Sequence, residues 1–592
     1  MSARRSLADR PPRRLLSTRP RLNGDDPVPG PALPRAPVPP RLPAIPPAAP
    51  GAEPARCPDL LNPVPALTVE HGKLVRALTF SFVAGNDSGA VAHAFDAAPI
   101  AASTFEPECF FEELYVEELL RGCMSPPRLQ KPGPLHERYL MRLLSQPPAD
   151  PAVRDLRTDV WRELAEAPPV RSAVDALFVR LSELFSLFSG DDQVNLRGEQ
   201  TRRRIEILRC VSEVLAAMQA PALGEATSCL HRTAHFAARV CATPAYQHLE
   251  ELLRYENERA YADLTLQLGS DGRVRGLRVV GVREDTRNRY HVSLAQQWLG
   301  RIGLWFRGFR VDDGEIIDRW LDQVFDEIVE HLPPLVQLYG DLEWYLAGQA
   351  FRDACLSRGL PVCLPEWTPA EAHAPCRVSS LYNPLLFALG VVPVSCDVEV
   401  SPWGETTLIT GPNSGGKTRL LQAVGLLQLC AQAGMWVSAA SARLRPVPGL
   451  FASLSQPAGA EQSEGRLGTE LKRIRMLFER ADPGTLVLVD ELCSGTSPSE
   501  GEELFRLVLE LMRELSPVAL ISTHFLRFAA DLAATPEPAL PLHFIRVELD
   551  DRMRPTYRFG AGVADTSLAQ QTAARLGVTR EELRAVLAAK RP

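Results

Sequence analysis

The sequence lacks any long apolar run. No stretch approaches the roughly 18 consecutive apolar residues that a membrane-spanning helix requires. The first residues also lack the apolar segment of roughly 7–15 residues that marks a secretory signal. We therefore expect no membrane segment and a cytoplasmic location.

Cysteines in paired, metal-binding spacings are also absent. The twelve cysteines are scattered, with no C-x-x-C pair and no accompanying histidine cluster. Zinc sites and disulfide frameworks depend on such spacings, so neither is predicted. The pattern is typical of reduced thiols in a cytosolic protein.

An excess of positive charge is missing as well. The sequence has 65 Lys and Arg residues against 72 Asp and Glu residues, a formal net charge of −7. A protein of this charge has no overall attraction to nucleic acid. Any DNA contact must therefore come from a local basic patch that reaches the phosphates.

Proline and arginine dominate the first 57 residues. This segment holds 15 of the 52 prolines, and seven arginines fall within the first 21 residues. Because proline fixes φ and removes a backbone donor, the segment cannot build a core, and 1–57 is predicted to be a disordered tail. It is either a basic arm for DNA or a solvated tail, and we favour the solvated tail.

The remaining length is too great for one core and suggests two or three domains. Residues 58–154 have a mixed pattern, in which 78–83 are predicted to form a strand and 109–120 a helix. Residues 155–375 are dominated by apolar positions at helical spacing, and 376–592 form the last predicted domain. The apolar stripes are Val174, Leu177, Leu181, Leu184 and Leu187, then Ile317, Trp320, Val324 and Ile328, then a helix from Leu335 through Leu342 to Phe351.

One stretch inside the helical region alternates instead. Residues 263–268 (DLTLQL) and 273–279 (RVRGLRV) flank a Gly-Ser-Asp-Gly turn, which predicts a β-hairpin over 262–282. Six arginines lie within 273–289, among them Arg273, Arg275 and Arg278. The hairpin is either a DNA phosphate contact or a solvated edge, and the sequence leaves both interpretations open.

A phosphate-binding loop is the strongest motif. Residues 407–410 (TLIT) form a short apolar strand pattern, and 419–433 form a helix pattern. The eight residues between them match G-x-x-x-x-G-K-[ST], in which glycines let backbone N–H groups converge on phosphates at a helix N-terminus. We predict ATP binding, with Lys417 on the β- and γ-phosphates and Thr418 on Mg²⁺. The loop consists of Gly411, Pro412, Asn413, Ser414, Gly415, Gly416, Lys417 and Thr418.

Two more apolar strands end in polar residues. Residues 485–491 (TLVLVDE) end in two carboxylates, and 518–524 (VALISTH) end in a histidine. Because the carboxyl ends of parallel strands meet at one edge of a sheet, Asp490 is expected to hold Mg²⁺ and Glu491 to activate the attacking water. His524 is expected to sense the γ-phosphate, as in ABC ATPases.

In finer detail these motifs resemble the MutS family of DNA-repair ATPases. That family's loop has the form Gly-Pro-Asn-x-Gly-Gly-Lys, and residues 490–497 (DELCSGTS) resemble its Asp-Glu-x-x-x-Gly-Thr-Ser run. Residues 382–385 (YNPL) and 431–437 (AQAGMWV) also resemble family segments. The resemblance covers 376–592 and extends less specifically over 155–375.

The resemblance implies an α/β ABC-type P-loop ATPase domain at the C-terminus, preceded by a mostly α-helical core and lever domain with the inserted hairpin. It implies a homodimer in which Gly495 and Thr496 approach the partner subunit, and in which the segment after Thr566 and Ser567 contributes to dimerisation. It also implies a nucleoid-associated, ATP-switched clamp on duplex or branched DNA, acting in mismatch repair or recombination control.

Three departures from the family pattern qualify this expectation. The family's trans-acting serine falls on Gly465, so either Ser463 substitutes for it or the composite site is weakened. The mismatch-probing Phe-x-Glu has only a superficial counterpart at 110–112 (FFE), which we reject as a probe because Phe110, Phe111 and Tyr115 are expected to be core residues of the predicted helix. We expect neither a mismatch-reading domain nor an Smr nuclease module. The alternative is an ABC-type ATPase whose levers act on a protein partner, with no role for DNA.

Overall fold

The fold is taken from a computed structural model, in which an N-terminal helical part precedes a mixed α/β part. All the described residues belong to one compact unit, Val38–Pro592. No helix within the described ranges is both long and apolar enough to cross a membrane. Those ranges are residues 57–85, 89–125, 136–188, 197–257, 261–268, 274–283, 313–369, 376–400, 404–454, 465–493, 495–536, 541–565 and 578–589.

Most helices of the N-terminal part follow apolar stripes of the sequence, since an amphipathic helix buries one face. They are α1 (His71–Ala84), α2 (Ala90–Ala97), α3 (Val116–Cys123), α4 (Glu137–Ser145), α5 (Pro151–Glu166), α6 (Pro168–Phe188), α7 (Arg197–Met218), α8 (Pro221–Gly224), α9 (His231–Cys241), α10 (Pro244–Asn257), α11 (Asp313–Ile328) and α12 (Leu332–Leu356). Short 3₁₀ helices lie at Pro107–Cys109 and Val329–His331. The three predicted helical stripes are confirmed as parts of α6, α11 and α12.

Helix α12 forms the centre of the helical part, because residues 332–351 are all buried. Its two glycines lie where aromatic rings cross the helix. A Cβ on Gly340 would lie 2.3 Å from Cε1 of Phe95, and one on Gly348 would lie 2.4 Å from Cη2 of Trp161. The close packing of this core therefore depends on the absence of side chains at both positions.

The predicted strand at 78–83 is wrong, because these residues belong to α1. Leu74, Leu78 and Phe82 are buried on one face of this helix, whereas Phe80 is 63% exposed. A half-buried strand would instead bury alternate residues, including Phe80. Residues 78–83 (LTFSFV) are too few to distinguish the period of a helix from the period of a strand.

The predicted helix at 109–120 is correct only in its second half. The chain forms the 3₁₀ helix Pro107–Cys109, a turn, and then α3. Tyr115 has a left-handed backbone (φ 54°), which ends any continuous helical ladder before Val116. Phe110 and Phe111 are 0% and 3% exposed, so their interpretation as core residues is confirmed, whereas Tyr115 is only half-buried and its interpretation as core is wrong.

The hairpin is confirmed as two antiparallel strands, β1 (Tyr261–Leu268) and β2 (Val274–Arg283). The pairing shifts register between Asp263 and Leu264 and again between Gln267 and Leu268. Arg275 and Arg278 belong to β2, while Arg273 lies outside the described residues.

The C-terminal part contains two sheets. A six-stranded sheet has the order β12-β11-β6-β10-β9-β8, with β12 antiparallel and the other pairs parallel. A four-stranded sheet has the order β3-β7-β4-β5. The strands are β3 (Glu366–Trp367), β4 (Cys376–Leu381), β5 (Cys396–Val400), β6 (Thr406–Thr410), β7 (Ser441–Leu444), β8 (Leu450–Ser453), β9 (Leu486–Val489), β10 (Val518–Thr523), β11 (Leu542–Leu549) and β12 (Pro555–Ala561).

Helices connect the parallel strands of the larger sheet. They are α13 (Lys417–Gln432), α14 (Gly465–Arg480), α15 (Pro498–Leu515) and α16 (Leu526–Ala534), with α17 (Arg580–Ala589) near the C-terminus and a 3₁₀ helix at Pro384–Leu389. The predicted strands at 407–410, 485–489 and 518–523 are confirmed as β6, β9 and β10. Because β10 lies between β6 and β9, their carboxyl ends meet at one edge of the sheet.

Candidate nucleotide site

The loop between β6 and α13 packs tightly against the neighbouring strand β11. Gly411 and Gly416 have φ values of 143° and 91°, which favour glycine. A Cβ on Gly411 would lie 2.6 Å from Cγ2 of Val547, and one on Gly415 would lie 2.9 Å from the same atom. The glycines are thus required by backbone conformation and by packing. The loop leads into the N-terminus of α13, where backbone donors and the helix dipole favour a phosphate.

Lys417 is the first residue of α13, and its side chain folds back over the loop. Its Nζ donates hydrogen bonds to the carbonyl oxygens of Gly411 (3.0 Å) and Pro412 (3.1 Å). Burial lowers the pKa of Lys417, and the nearby Glu491 and Asp490 oppose that fall. The two carbonyls hold the ammonium group over the phosphate-binding loop.

A hydrogen-bond network joins the three strand ends. The Thr418 hydroxyl donates to Oδ2 of Asp490, and the Ser522 hydroxyl donates to Oδ1 of the same carboxylate. Ser522 also accepts a hydrogen bond from the backbone N–H of Glu491 (3.0 Å). Ser522 is completely buried. One serine on β10 therefore fixes the Asp490 carboxylate and the backbone of Glu491 at the end of β9.

The chain after β9 is held in an uncommon backbone conformation. Glu491 and Cys493 have φ values of 51° and 59°, in the left-handed region. Such residues persist where the surrounding structure enforces them, and they concentrate at functional sites. The Ser522 hydroxyl is one of the groups that enforce it, through the N–H of Glu491.

A cavity of about 650 Å³ opens beside this network. Its polar side carries Lys417, Thr418, Asp490 and Glu491. Its apolar side includes three valines of one short loop, and these valines are 44–65% exposed. The apolar residues are Leu381, Leu386, Val391, Val392, Val394, Tyr557 and Phe559. A cavity with one charged and one apolar side suits a ligand that combines phosphates with a flat apolar ring.

Asn383 ties the segment before β5 to α13. Its Oδ1 accepts a hydrogen bond from the N–H of Leu385 (3.0 Å) and begins the 3₁₀ helix Pro384–Leu389. Its Nδ2 donates to the carbonyl of Arg419 (3.1 Å) and to Oε1 of Gln422 (3.2 Å). This asparagine positions one wall of the cavity against the first turns of α13.

His524 lies at the same edge of the sheet but not on the cavity wall. It follows the last residue of β10, is exposed, and lies against Phe525 with ring centroids 4.3 Å apart and ring planes tilted by 46°. The residues that line the cavity do not include it. The prediction of its position at the strand end is confirmed, whereas its contact with a γ-phosphate stays a prediction.

The loop predicted to face a partner is exposed. Gly495 donates its N–H to Oε2 of Glu470 on α14 (3.3 Å), and the Thr496 hydroxyl donates to Glu500 (2.6 Å). Hydrogen bonds from Thr496 and Ser497 lower the pKa of Glu500. Ser463 lies outside the described residues.

Sequence reasoning missed several residues of the site. Ser522 stands within the strand pattern VALISTH, where a hydroxyl near the end of an apolar strand is a usable signal. Val547 and Tyr557 come from β11 and β12, and Tyr115 comes from the N-terminal part. Nothing in the local pattern around these three residues connects them with a phosphate-binding loop.

Comparison with known families agrees with this geometry. Residues 407–588 match the family model described as MutS domain V. This range begins in β6 and includes the loop, both carboxylates and His524. The helical part precedes the matched range.

Curated proteins similar to this chain carry the name Endonuclease MutS2. The protein of Thermomicrobium roseum is 35% identical over 218 residues, 36% of this chain and 27% of that protein. That of Pelotomaculum thermopropionicum is 32% identical over 271 residues, 45% of this chain and 32% of that protein. That of Agathobacter rectalis is 34% identical over 272 residues, 45% and 33% of the two chains. The matches span roughly a quarter to a third of these relatives.

Proposed function

We propose that this chain is a MutS-type ATPase, which binds and hydrolyses ATP and uses this cycle to switch a dimeric clamp on DNA. The observation that carries the ATPase proposal is the partly buried network of Thr418, Asp490, Ser522 and Glu491 beside a glycine-rich loop. The network orients the Asp490 carboxylate and the backbone of Glu491, and both acidic residues line the cavity. It suits a site that binds a metal and positions water.

Each side chain has a distinct task in this proposal. Lys417 holds the β- and γ-phosphates from its place above the loop. Glu491 accepts a proton from the attacking water, a contribution of about 10²–10⁴-fold for a general base. His524 senses the γ-phosphate from the end of β10, between the loop strand and the carboxylate strand.

The residues present fit Mg²⁺. The Thr418 hydroxyl and the Asp490 carboxylate are adjacent oxygen donors, as their hydrogen bond demonstrates. Mg²⁺ in nucleotide sites takes one or two protein oxygens together with phosphate and water oxygens. When bound, it neutralises charge on the phosphates. Ser522 keeps the Asp490 carboxylate oriented toward Thr418.

The apolar side of the cavity fits the adenine base. Val391, Val392 and Val394 expose apolar surface to solvent in the absence of a ligand, while Tyr557 and Phe559 supply aromatic rings. Stacking of a base on an aromatic side chain is worth about 1–3 kcal/mol. Contact with the adenine base would explain why this exposed loop carries three valines.

The dimer and DNA proposals rest on other parts of the chain. Gly495 and Thr496 form an exposed loop at the same edge as Glu491, where a second copy could complete the site, and Ser463 is proposed as the contributing serine of the partner. Arg273, Arg275 and Arg278 of the hairpin are proposed to contact DNA phosphates. Such contacts carry no sequence information, so binding by shape and charge is expected.

The deciding experiment is ATP turnover with and without duplex, mismatched and branched DNA. Stimulation by DNA supports the clamp, whereas turnover that no DNA alters favours action on a protein partner. Replacement of Arg273, Arg275 and Arg278 by Ala should flatten the log–log salt dependence of duplex binding by roughly 0.9 for each lost phosphate contact. Unchanged binding by this triple variant would remove the hairpin from the DNA proposal.

A further inference from the structure

A segment of the N-terminal part, residues 107–123, packs against the elements that build the nucleotide site. We call this segment the wedge. Leu114, at its centre, is completely buried. A Cβ on Gly425 of α13 would lie 2.8 Å from Cδ2 of Leu114 and 2.8 Å from Cδ1 of Leu488 on β9. Leu114 thus packs on the helix after the phosphate-binding loop, at the same glycine against which Leu488 of the strand before Asp490 packs.

The wedge is also bonded to β8 and α14. Oε2 of Glu113 accepts a hydrogen bond from the N–H of Leu454 (3.1 Å), across 341 residues of chain. Arg473 of α14 donates to the carbonyls of Cys109 (3.2 Å) and Ala452. Its guanidinium also lies 3.8 Å from Glu113. These bonds are buried or partly buried, so they resist competition from water better than surface pairs do.

Helix α14 carries this connection onward to the exposed loop. Glu470 lies one turn before Arg473 and accepts the N–H of Gly495 (3.3 Å). The wedge therefore contacts α13 and α14 directly and the 495–496 loop through α14. A movement of any of these elements on nucleotide binding must be transmitted to the wedge, because packed interiors do not deform freely.

Tyr115 brings the wedge to the cavity itself. It is half-buried and lines the cavity together with Thr418, Asp490 and Glu491. Its φ of 54° is uncommon for a tyrosine. Among the described non-glycine residues, eight have positive φ, and four of these eight line this one cavity. Tyr115 therefore shares a positive φ with other residues of this cavity, and such backbone conformations concentrate at functional sites. The four residues are Tyr115, Ser414, Glu491 and Tyr557.

We propose that Tyr115 is a nucleotide-binding residue supplied by the N-terminal part, and that its ring couples nucleotide occupancy to the wedge. This inference rests on the proposed ATP site. The ring packs against the bound nucleoside triphosphate, and the backbone at Leu114 and Val116 carries the effect into α3. The ATP site is then built from two parts of the chain that are separated by almost 300 residues, and not from the matched family domain alone.

The test combines nucleotide affinity with hydrogen exchange on the full chain. Tyr115→Ala should weaken binding of a fluorescent ATP analogue with Mg²⁺ by about three- to tenfold, the range for one lost aromatic contact. Tyr115→Phe should stay within about twofold of wild type, since the ring is retained. Glu118→Ala, an exposed change on α3 outside the cavity, is the control and should bind as wild type.

Hydrogen exchange supplies a readout that a purely structural tyrosine would not change. In the wild type, ATP analogue and Mg²⁺ should slow exchange both in 411–420 and in 107–123. In Tyr115→Ala, at saturating nucleotide, protection should persist in 411–420 and disappear from 107–123. If the nucleotide does not change hydrogen exchange of residues 107–123 in the wild type, the inference is overturned. This measurement uses no variant and so does not depend on the folding of one.

The outcomes separate the inference from the proposed function. A wild type that binds no ATP analogue refutes the ATP site itself. A wild type that binds, together with a Tyr115→Ala variant of equal affinity and equal protection of 107–123, refutes only the role of Tyr115. Loss of affinity in Tyr115→Phe equal to that in Tyr115→Ala refutes the ring contact.

Discussion

Ser522→Ala should impair ATP hydrolysis more than ATP binding. The serine donates to Asp490, accepts from the N–H of Glu491 (3.0 Å) and is completely buried. Alanine removes a hydrogen bond to a charged group, worth about 1.5–3 kcal/mol, and releases the backbone of Glu491. A misplacement of about 1 Å in a catalytic group costs about 10²-fold. We therefore expect kcat to fall about ten- to a hundredfold.

Affinity should change much less in this variant. The loop glycines and Lys417 hold the phosphates, and Ser522 touches none of them directly. Steady-state ATPase assays should thus give a lower kcat with KM within a few-fold of wild type, and titration with a fluorescent analogue should give a similar Kd. Loss of affinity with normal kcat would contradict the assignment of Ser522 to the catalytic carboxylates.

Thr523→Ala is a matched control on the same strand. Its hydroxyl is also buried, but it accepts from the N–H of Phe525 (3.0 Å) and faces no carboxylate. Both variants lose one buried hydroxyl, so both should lower the Tm by a few degrees, on the scale of about 2–4 °C per kcal/mol for a domain of this size. Only Ser522→Ala should lose turnover. Equal kcat losses in the two variants would show that general destabilisation accounts for the effect, and an unchanged kcat in Ser522→Ala would refute the reasoning.

Three further predictions concern the same site. Glu491→Gln should retain ATP binding and lose about 10²-fold or more in turnover, whereas Lys417→Ala should weaken binding itself; near-normal turnover in Glu491→Gln removes it from the role of base. Glu491→Gln should form an ATP-stabilised homodimer, and light scattering that finds a monomer with and without ATP-Mg²⁺ contradicts the dimer. Because burial lowers the pKa of Lys417 and bound phosphates raise it again, ATP affinity should fall as pH rises from about 7 to about 10. If ATP affinity depends as steeply on pH in Lys417→Arg, a group other than Lys417 causes the effect.

The phosphate-binding loop could be predicted from sequence because its requirements are local. The strand, the glycines and the first turn of α13 lie within about fifteen consecutive residues, and each glycine is required by a positive φ or by a contact that a side chain would break. Asp490 and Glu491 could be predicted for a related reason, since parallel strands end at one edge. Their orientation could not be predicted, because it depends on the hydroxyl of Ser522 from an adjacent strand.

The errors in the N-terminal part have a different origin. The run at 78–83 is too short to separate a helix from a strand, and only the exposure of Phe80 in the fold decides it. The helix expected at 109–120 is interrupted because the turn before α3 fits a surface on β8, β9 and α13 that no local pattern encodes. The chain there follows tertiary contacts, such as the bond between Glu113 and Leu454, and not helical propensity.

The exposed residues at the carboxyl edge suggest why the site looks incomplete in a single chain. His524 lies against Phe525, with their ring planes tilted by 46°, and is not among the residues that line the cavity, while Gly495 is exposed in the segment after β9. Both residues matched family positions that act across a dimer interface or on the γ-phosphate. In the proposed dimer, ATP would bring these exposed residues of two copies to the network at Asp490 and Glu491, which is already formed within one chain.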